Sequence, residues 1–186
     1  MTDPSNQPPG PPADGPKNGP ADGPAAFPPE EISAFLRFCA GEWMALRSRF
    51  ELGEGSEGEN GDEWHSSERG ELVVAYLEPG SAGSPGGLQL CPKGEAERQL
   101  LFAGDGSFAV NGSLAVNSAE GRWQLWPDGS LELCLRSGDR EVRERIWFTK
   151  PNLRLRSTVE HHADGSPGRA SFSSEIRRVS RPAAQP

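Results

Sequence analysis

Two arginines, two glutamates and a threonine in the C-terminal third of this 186-residue chain have the types and spacing to hold an anionic ligand and to steady a cation. In the run ERIWFTKPNLRLRSTVEHH, residues 144 to 162, Pro151-Asn152 reads as a turn, because Pro fixes φ and removes a backbone donor while Asn tolerates turn geometry. One strand should therefore end near Phe148 and the next begin near Leu153. Side chains alternate across a strand, so Arg154, Arg156, Thr158 and Glu160 share one face. Arg binds carboxylates through a planar pair of charge-assisted hydrogen bonds, which makes two guanidiniums on one face an anion cradle. Thr158 can add a hydroxyl donor. On the preceding strand Val142, Glu144, Ile146 and Phe148 align, which sets one carboxylate among apolar neighbours. Further on, Ser171, Ser173, Glu175 and Arg177 align, so Glu175 can meet the arginines across the sheet. Each carboxylate has two readings, an acid facing a ligand or a structural ion pair with Arg154, Arg156 or Arg145, and one residue can serve both. For the arginines the alternative is a solvated strand face paired to cross-strand Glu.

The elements that must position these groups are mostly strands. Trp43 to Leu52 reads as a long one, and others are expected near residues 64–69, 71–78, 98–103, 107–116, 121–126, 130–136, 140–148, 152–161 and 169–178. Trp126-Pro127-Asp128-Gly129, Ser137-Gly138-Asp139 and Asp164-Gly165-Ser166-Pro167-Gly168 carry turn chemistry. Short connections imply antiparallel neighbours. About eight to ten sequential strands behind one helix suggest a mainly β fold, an up-and-down antiparallel barrel enclosing a ligand cavity in the manner of lipocalins and fatty-acid-binding proteins. A two-sheet sandwich is the competing architecture. The helix is read from Ile32, Phe35, Leu36 and Cys39, which recur at helical spacing after Pro28-Pro29-Glu30-Glu31 and stop before Gly41, with the two acids expected to suit the dipole of its first turn. Gly41-Glu42-Trp43 resembles the GxW motif that opens lipocalin-type barrels.

Residues 1–28 are dominated by Pro, Gly, Ala and Asp and cannot bury enough apolar surface to offset ordering entropy, so they read as a disordered tail, either a docking arm or a solvating segment. That leaves one barrel domain over residues 29–179, roughly the size of an ordinary single-core domain, and a flexible C-terminus over 180–186. The acidic loop GEGSEGENGD has little to pack.

A formal net charge of −8 argues against nucleic acid as a partner, since a phosphate-binding surface needs a clustered basic excess. Cys39, Cys91 and Cys134 have no CxxC spacing and suggest neither zinc nor redox chemistry, and their odd number points to a reducing compartment. His65, His161 and His162 make no metal set, because adjacent strand residues point to opposite faces. No apolar run reaches the roughly 20 residues that cross a bilayer, so a soluble, cytoplasmic protein is expected. Among the aromatics Trp123 is the candidate pocket residue, and Trp147, opposite in parity to Glu144, should face away.

The segments ISAFLRFCAGEWMALRSRFEL and RGELVVAYLEP, and above all ERIWFTKPNLRLRSTV followed by ASFSSEIRR, resemble the S/U-type phycobiliprotein lyases, the CpcS/CpeS family, over roughly residues 31 to 178. The resemblance implies a lipocalin-like barrel that loads a linear tetrapyrrole, phycocyanobilin or phycoerythrobilin, and attaches it by a thioether to a Cys of a phycobiliprotein subunit. A bilin carries two propionates, which Arg154 and Arg156 are placed to bind, with Thr158 and Trp123 as further pocket candidates and Glu144 and Glu175 as the candidate catalytic acids. The nucleophile then belongs to the acceptor, which accounts for the absence of a nucleophile and base set in the chain itself. A homodimer or a heterodimer with a related lyase subunit is implied as well, in the cytoplasm of a cyanobacterial-type cell or the stroma of an algal plastid. Between Cys91 and Trp123 the resemblance implies a longer, Trp-rich wall than the chain offers, so an S-type catalyst with a reduced wall and a U-type partner subunit both stay open. A noncatalytic bilin carrier is the reading from another class.

Overall fold

The structure is a computed structural model that describes residues 27–51, 65–112 and 120–179; most of the expected tail, the acidic loop and the C-terminal segment 180–186 lie outside the described residues. One helix, α1 (Ile32–Cys39), precedes ten strands: β1 (Gly41–Glu51), β2 (His65–Leu77), β3 (Gly86–Pro92), β4 (Arg98–Phe102), β5 (Ser107–Gly112), β6 (Glu120–Leu125), β7 (Leu131–Ser137), β8 (Arg140–Lys150), β9 (Leu153–His162) and β10 (Pro167–Arg177). Each strand pairs with its neighbours in sequence, and β1 also pairs with β10, so the meander closes into a barrel. The expected barrel is what forms, and the sandwich alternative falls away. Among the described residues no helix is long and apolar enough to cross a membrane.

Two expectations are corrected. The runs near 64–69 and 71–78 are one strand, β2, with Gly70 inside it opposite Ala45. Residues 86–92, which carry no strand expectation, form β3. Their opening glycines conceal a tight approach: a Cβ at Gly87 would lie 2.6 Å from the Leu100 carbonyl oxygen of the neighbouring strand. Only a residue without a side chain fits there.

Three turns repeat one device. In Asp105-Gly106-Ser107, Asp128-Gly129-Ser130 and Asp164-Gly165-Ser166 the Asp carboxylate accepts from the backbone N–H and the hydroxyl of the Ser two residues on. Such Asx turns satisfy the turn's own amides and reverse the chain in few residues.

Helix α1 closes one end of the barrel. Its apolar face, Phe35, Leu36 and Cys39, is fully buried against Trp43, Leu88, Leu131 and Phe148, and the Phe148 ring meets those of Phe35 and Phe38 edge-on. Glu30 and Glu31 fall just before the helix, and its first turn carries no acid. The orphan carbonyls of its last turn are taken by side chains from the barrel wall: Trp43 Nε1 donates to the Cys39 carbonyl, and Arg177 donates to those of Phe38 and Ala40. Phe27 and Pro28, placed above in the tail, also touch the domain. Phe27 stacks obliquely on Phe38, and Pro28 covers Gly129 so closely that a Cβ there would lie 2.4 Å from its ring. Apolar packing dominates this end, and the open end mixes charged side chains with an apolar wall.

Candidate functional site

The inward faces of β8, β9 and β10 supply the charged cluster. In the ladder Glu175 stands opposite Arg154, Ser173 opposite Arg156, and Glu144 opposite Thr158. Because inward residues on adjacent strands also meet on the diagonal, Arg156 reaches both carboxylates. Its Nη1 donates to Glu144 Oε1 at 2.8 Å, and its Nε lies 3.1 Å from Glu175 Oε1. Arg154 Nε donates to Glu175 Oε2. The Arg154 guanidinium lies 4.2 Å above the Trp43 ring, and the Arg177 guanidinium lies 4.3 Å from the same ring. An indole thus stacks with two cations, which offsets part of their desolvation.

Burial would push the Glu175 carboxyl up, but Arg156 and Arg154 outweigh it and hold it below the usual carboxylate range. Burial likewise works against the Arg156 cation, and Glu144 and Glu175 more than restore it. The cluster thus sets two guanidiniums against two carboxylates. Three of its buried atoms have no hydrogen-bond partner: Arg154 Nη2, Arg156 Nε and Glu175 Oε1, the last two being in ionic contact without hydrogen-bond geometry. Unsatisfied polar atoms at the floor of a cavity are places for a polar ligand or water to bind.

Above this floor the barrel is hollow. A cavity of about 410 Å³ is lined by Arg47, Glu144, Arg156, Thr158 and Glu160, and a second of about 280 Å³ reaches Leu72, Leu90, Arg156 and Glu175. A third, about 160 Å³, is apolar apart from Arg98 and Glu144, with walls of Leu100, Phe108, Val110 and Leu133. The structure thus brings Glu144, Glu175, Arg154, Arg156 and Thr158 together. Arg154 lies beneath the cavity, behind Glu175, whereas Arg156, Glu144 and Thr158 line it. Trp123 stands apart: its Nε1 donates to the Ala103 carbonyl at 3.0 Å, and its exposed edge lines a crevice beside α1.

Arg47 and Arg98 also face the cavity and were not among the expected site residues. Alternation along Trp43, Ala45, Arg47 and Arg49 carries the signal for the first, and Arg98, Leu100 and Phe102 carry it for the second. Arg47 Nε donates to Ser173 Oγ at 3.3 Å, and its Nη1 lies 3.6 Å from Glu68. None of the cysteines lines the cavities: Cys39 is wholly buried, which pushes its thiol up against the pull of Arg154 and Arg156, Cys91 lies on β3, and Cys134 lies on β7 between the outward Glu132 and Arg136, the last two thiols being pushed up as well.

A family model described as CpeS-like protein matches residues 111–178. The chain is 42% identical over 156 residues to a protein of Paulinella chromatophora named chromophore lyase CpcS/CpeS 1, covering 83% of this chain and 92% of that protein. A namesake in Trichodesmium erythraeum is 46% identical over 59 residues, 32% of this chain and 33% of its own. The S-type phycobiliprotein lyase CPES from Guillardia theta superposes with a TM-score of 0.62 over 81% of this chain and 94% of that one, at 18% identity, a likeness of fold. With its Paulinella relative aligned along most of both chains, this chain belongs to the CpcS/CpeS chromophore lyase family.

Proposed function

We propose that this protein binds a linear tetrapyrrole in its barrel and catalyses thioether attachment of that pigment to a Cys of a phycobiliprotein subunit. The observation that carries the reading is the buried cluster of Arg154, Arg156, Glu144 and Glu175 at the floor of a hollow barrel, in a chain related to named chromophore lyases.

The chemistry is an addition. The acceptor sulfur bonds to one carbon of the ring A alkene, a proton goes to the other, and the π bond is consumed with no leaving group and no change of oxidation state overall. Protonation of the pyrrole nitrogens makes that alkene a better electrophile. Glu175, held ionised by two arginines, suits the counterion of a protonated pigment better than a proton donor. Glu144, between the apolar wall and Arg156, faces the same ligand. Arg156 and Thr158 line the cavity from β9, where their polar groups can meet the pigment.

The substrate class is phycocyanobilin or phycoerythrobilin, and the reaction takes place where phycobiliprotein subunits are made, the cytoplasm of a cyanobacterial-type cell or a plastid stroma. A second copy or a related lyase subunit is proposed to cover the outside of β1 and β10, where Met44, Leu46 and Ile176 leave about half of their surfaces bare.

Co-expression with bilin synthesis and each candidate acceptor tests the reading. Zinc fluorescence that stays on the acceptor after denaturation is the expected result. Pigment held only by the native chain would make it a carrier, and colour that appears solely with a second subunit would make it half of a heteromer.

A further inference from the structure

Arg98 opens β4 at the rim opposite α1, beside Leu90 of β3. It shares the inward face of its strand with Leu100 and Phe102, and among the described residues it is the single side chain that borders all three cavities. Of the other arginines around the cavities, Arg69 is exposed, and the rest are engaged among the described residues. Arg154 and Arg156 hold Glu175 and Glu144, Arg47 and Arg49 reach Glu68, and Arg169 reaches Glu51. Arg98 is half-buried and has no hydrogen bond or ion pair among the described residues. The other arginines without a carboxylate partner differ: Arg69 and Arg122 are exposed, and Arg177 spends its donors on helix carbonyls.

This matters for how an anionic pigment is read. The floor cluster already balances two guanidiniums with two carboxylates, so its cations are neutralised before any ligand arrives. An unpaired guanidinium above apolar walls lacks both full hydration and a counterion, and a ligand carboxylate supplies the bidentate partner it is missing.

We infer that Arg98 is the residue that recognises a propionate carboxylate of the tetrapyrrole at the mouth of the barrel, with the neighbouring apolar wall taking the pyrrole rings. The inference rests on the proposed bilin-binding function. It also sets the direction in which the pigment enters, with the charged propionate edge held at the rim and the pyrrole nitrogens toward Glu144 and Glu175.

The test is a fluorescence-quench titration of the full chain with phycocyanobilin and with its dimethyl ester, in wild type, Arg98→Gln and Arg98→Lys. Wild type is expected to bind the free acid about tenfold or more tighter than the ester, the range for a hydrogen bond to a charged group. Arg98→Gln should remove that preference by weakening the acid alone, and Arg98→Lys, which keeps the charge without the planar fork, should restore part of it. Because Arg98 has no partner to lose among the described residues, the unfolding midpoint of Arg98→Gln should match wild type; should that variant not fold, a partial loss for the acid alone in Arg98→Lys supports the same role, and no loss there overturns it. An unchanged acid preference in Arg98→Gln, an equal loss for both pigments, or a wild type blind to esterification would each overturn the role of Arg98 while leaving pigment binding standing. A wild type that binds neither pigment would overturn the bilin reading itself, and this inference with it.

Discussion

Arg154 donates its Nε to the carboxylate of Glu175, its direct partner across the β9–β10 ladder, and both side chains are 1% exposed. A buried pair of this kind adds little net stability over an apolar pair, yet breaking it leaves one charge stranded. Glu175→Gln and Arg154→Ala should therefore each destabilise the fold by roughly 3 to 5 kcal/mol in urea unfolding. A double variant with apolar residues at both positions should recover much of that loss. If Glu175→Gln unfolds at the wild-type urea midpoint, the pair is not buried as described.

Acid should act through the same carboxylate. Its folded-state pKa is depressed below the ordinary 4.5, so the stability it contributes is present above the unfolded value and is lost as pH falls through the folded one. Unfolding free energy should hold steady from neutral pH to about 4.5 as far as this group is concerned, then fall on further acidification. In Glu175→Gln that part of the acid loss should vanish, which urea unfolding at pH 7 and pH 3 will read.

Position relative to the cavity separates the two arginines. Arg156 lines it and Arg154 lies beneath, so Arg156→Ala should weaken bilin binding by roughly 1.5 to 3 kcal/mol, the scale of a lost hydrogen bond to a charged group. Arg154→Ala should act chiefly on stability. Pigment titration beside urea unfolding for each variant checks this, and a larger binding loss for Arg154→Ala than for Arg156→Ala would reverse the assignment.

Replacing Glu144 or Glu175 by Gln keeps the shape and removes the charge that favours a cationic pigment. The bound pigment should shift toward its neutral, blue-shifted absorbance, and transfer to the acceptor thiol should slow more than binding weakens. Wild-type spectra and transfer rates in both variants would return both carboxylates to a purely structural role.

The parts of this site that a strand pattern can express were legible. Pro151-Asn152 set the hairpin, and a period of two then put Arg154, Arg156 and Thr158 on one face and Glu144 on the facing one. Parity names a face but not a height along the barrel. Trp123 has the inward parity expected of it, yet lies beside α1, away from the charged cluster. Strand β3 was hidden because Pro85-Gly86-Gly87 has loop composition, and the need for glycine there arises only once Leu100 of β4 packs against it. Arg98 was missed for a related reason: which cations remain unpaired is decided by barrel closure, which brings together strands far apart in sequence.

Ten is an even number, and a meander with an even number of strands returns to the rim from which it set out. Gly41 starts β1 and Arg177 ends β10 at the rim plugged by α1, so Phe27 and Val179, the outermost described residues, leave the barrel on that side. A fluorescent protein, an affinity tag or a surface tether joined directly at Phe27 or Val179 therefore hangs from the floor. The rim that bears Arg98 stays clear, and a barrel tethered at Phe27 or Val179 on a sensor chip would present its open mouth to the solution.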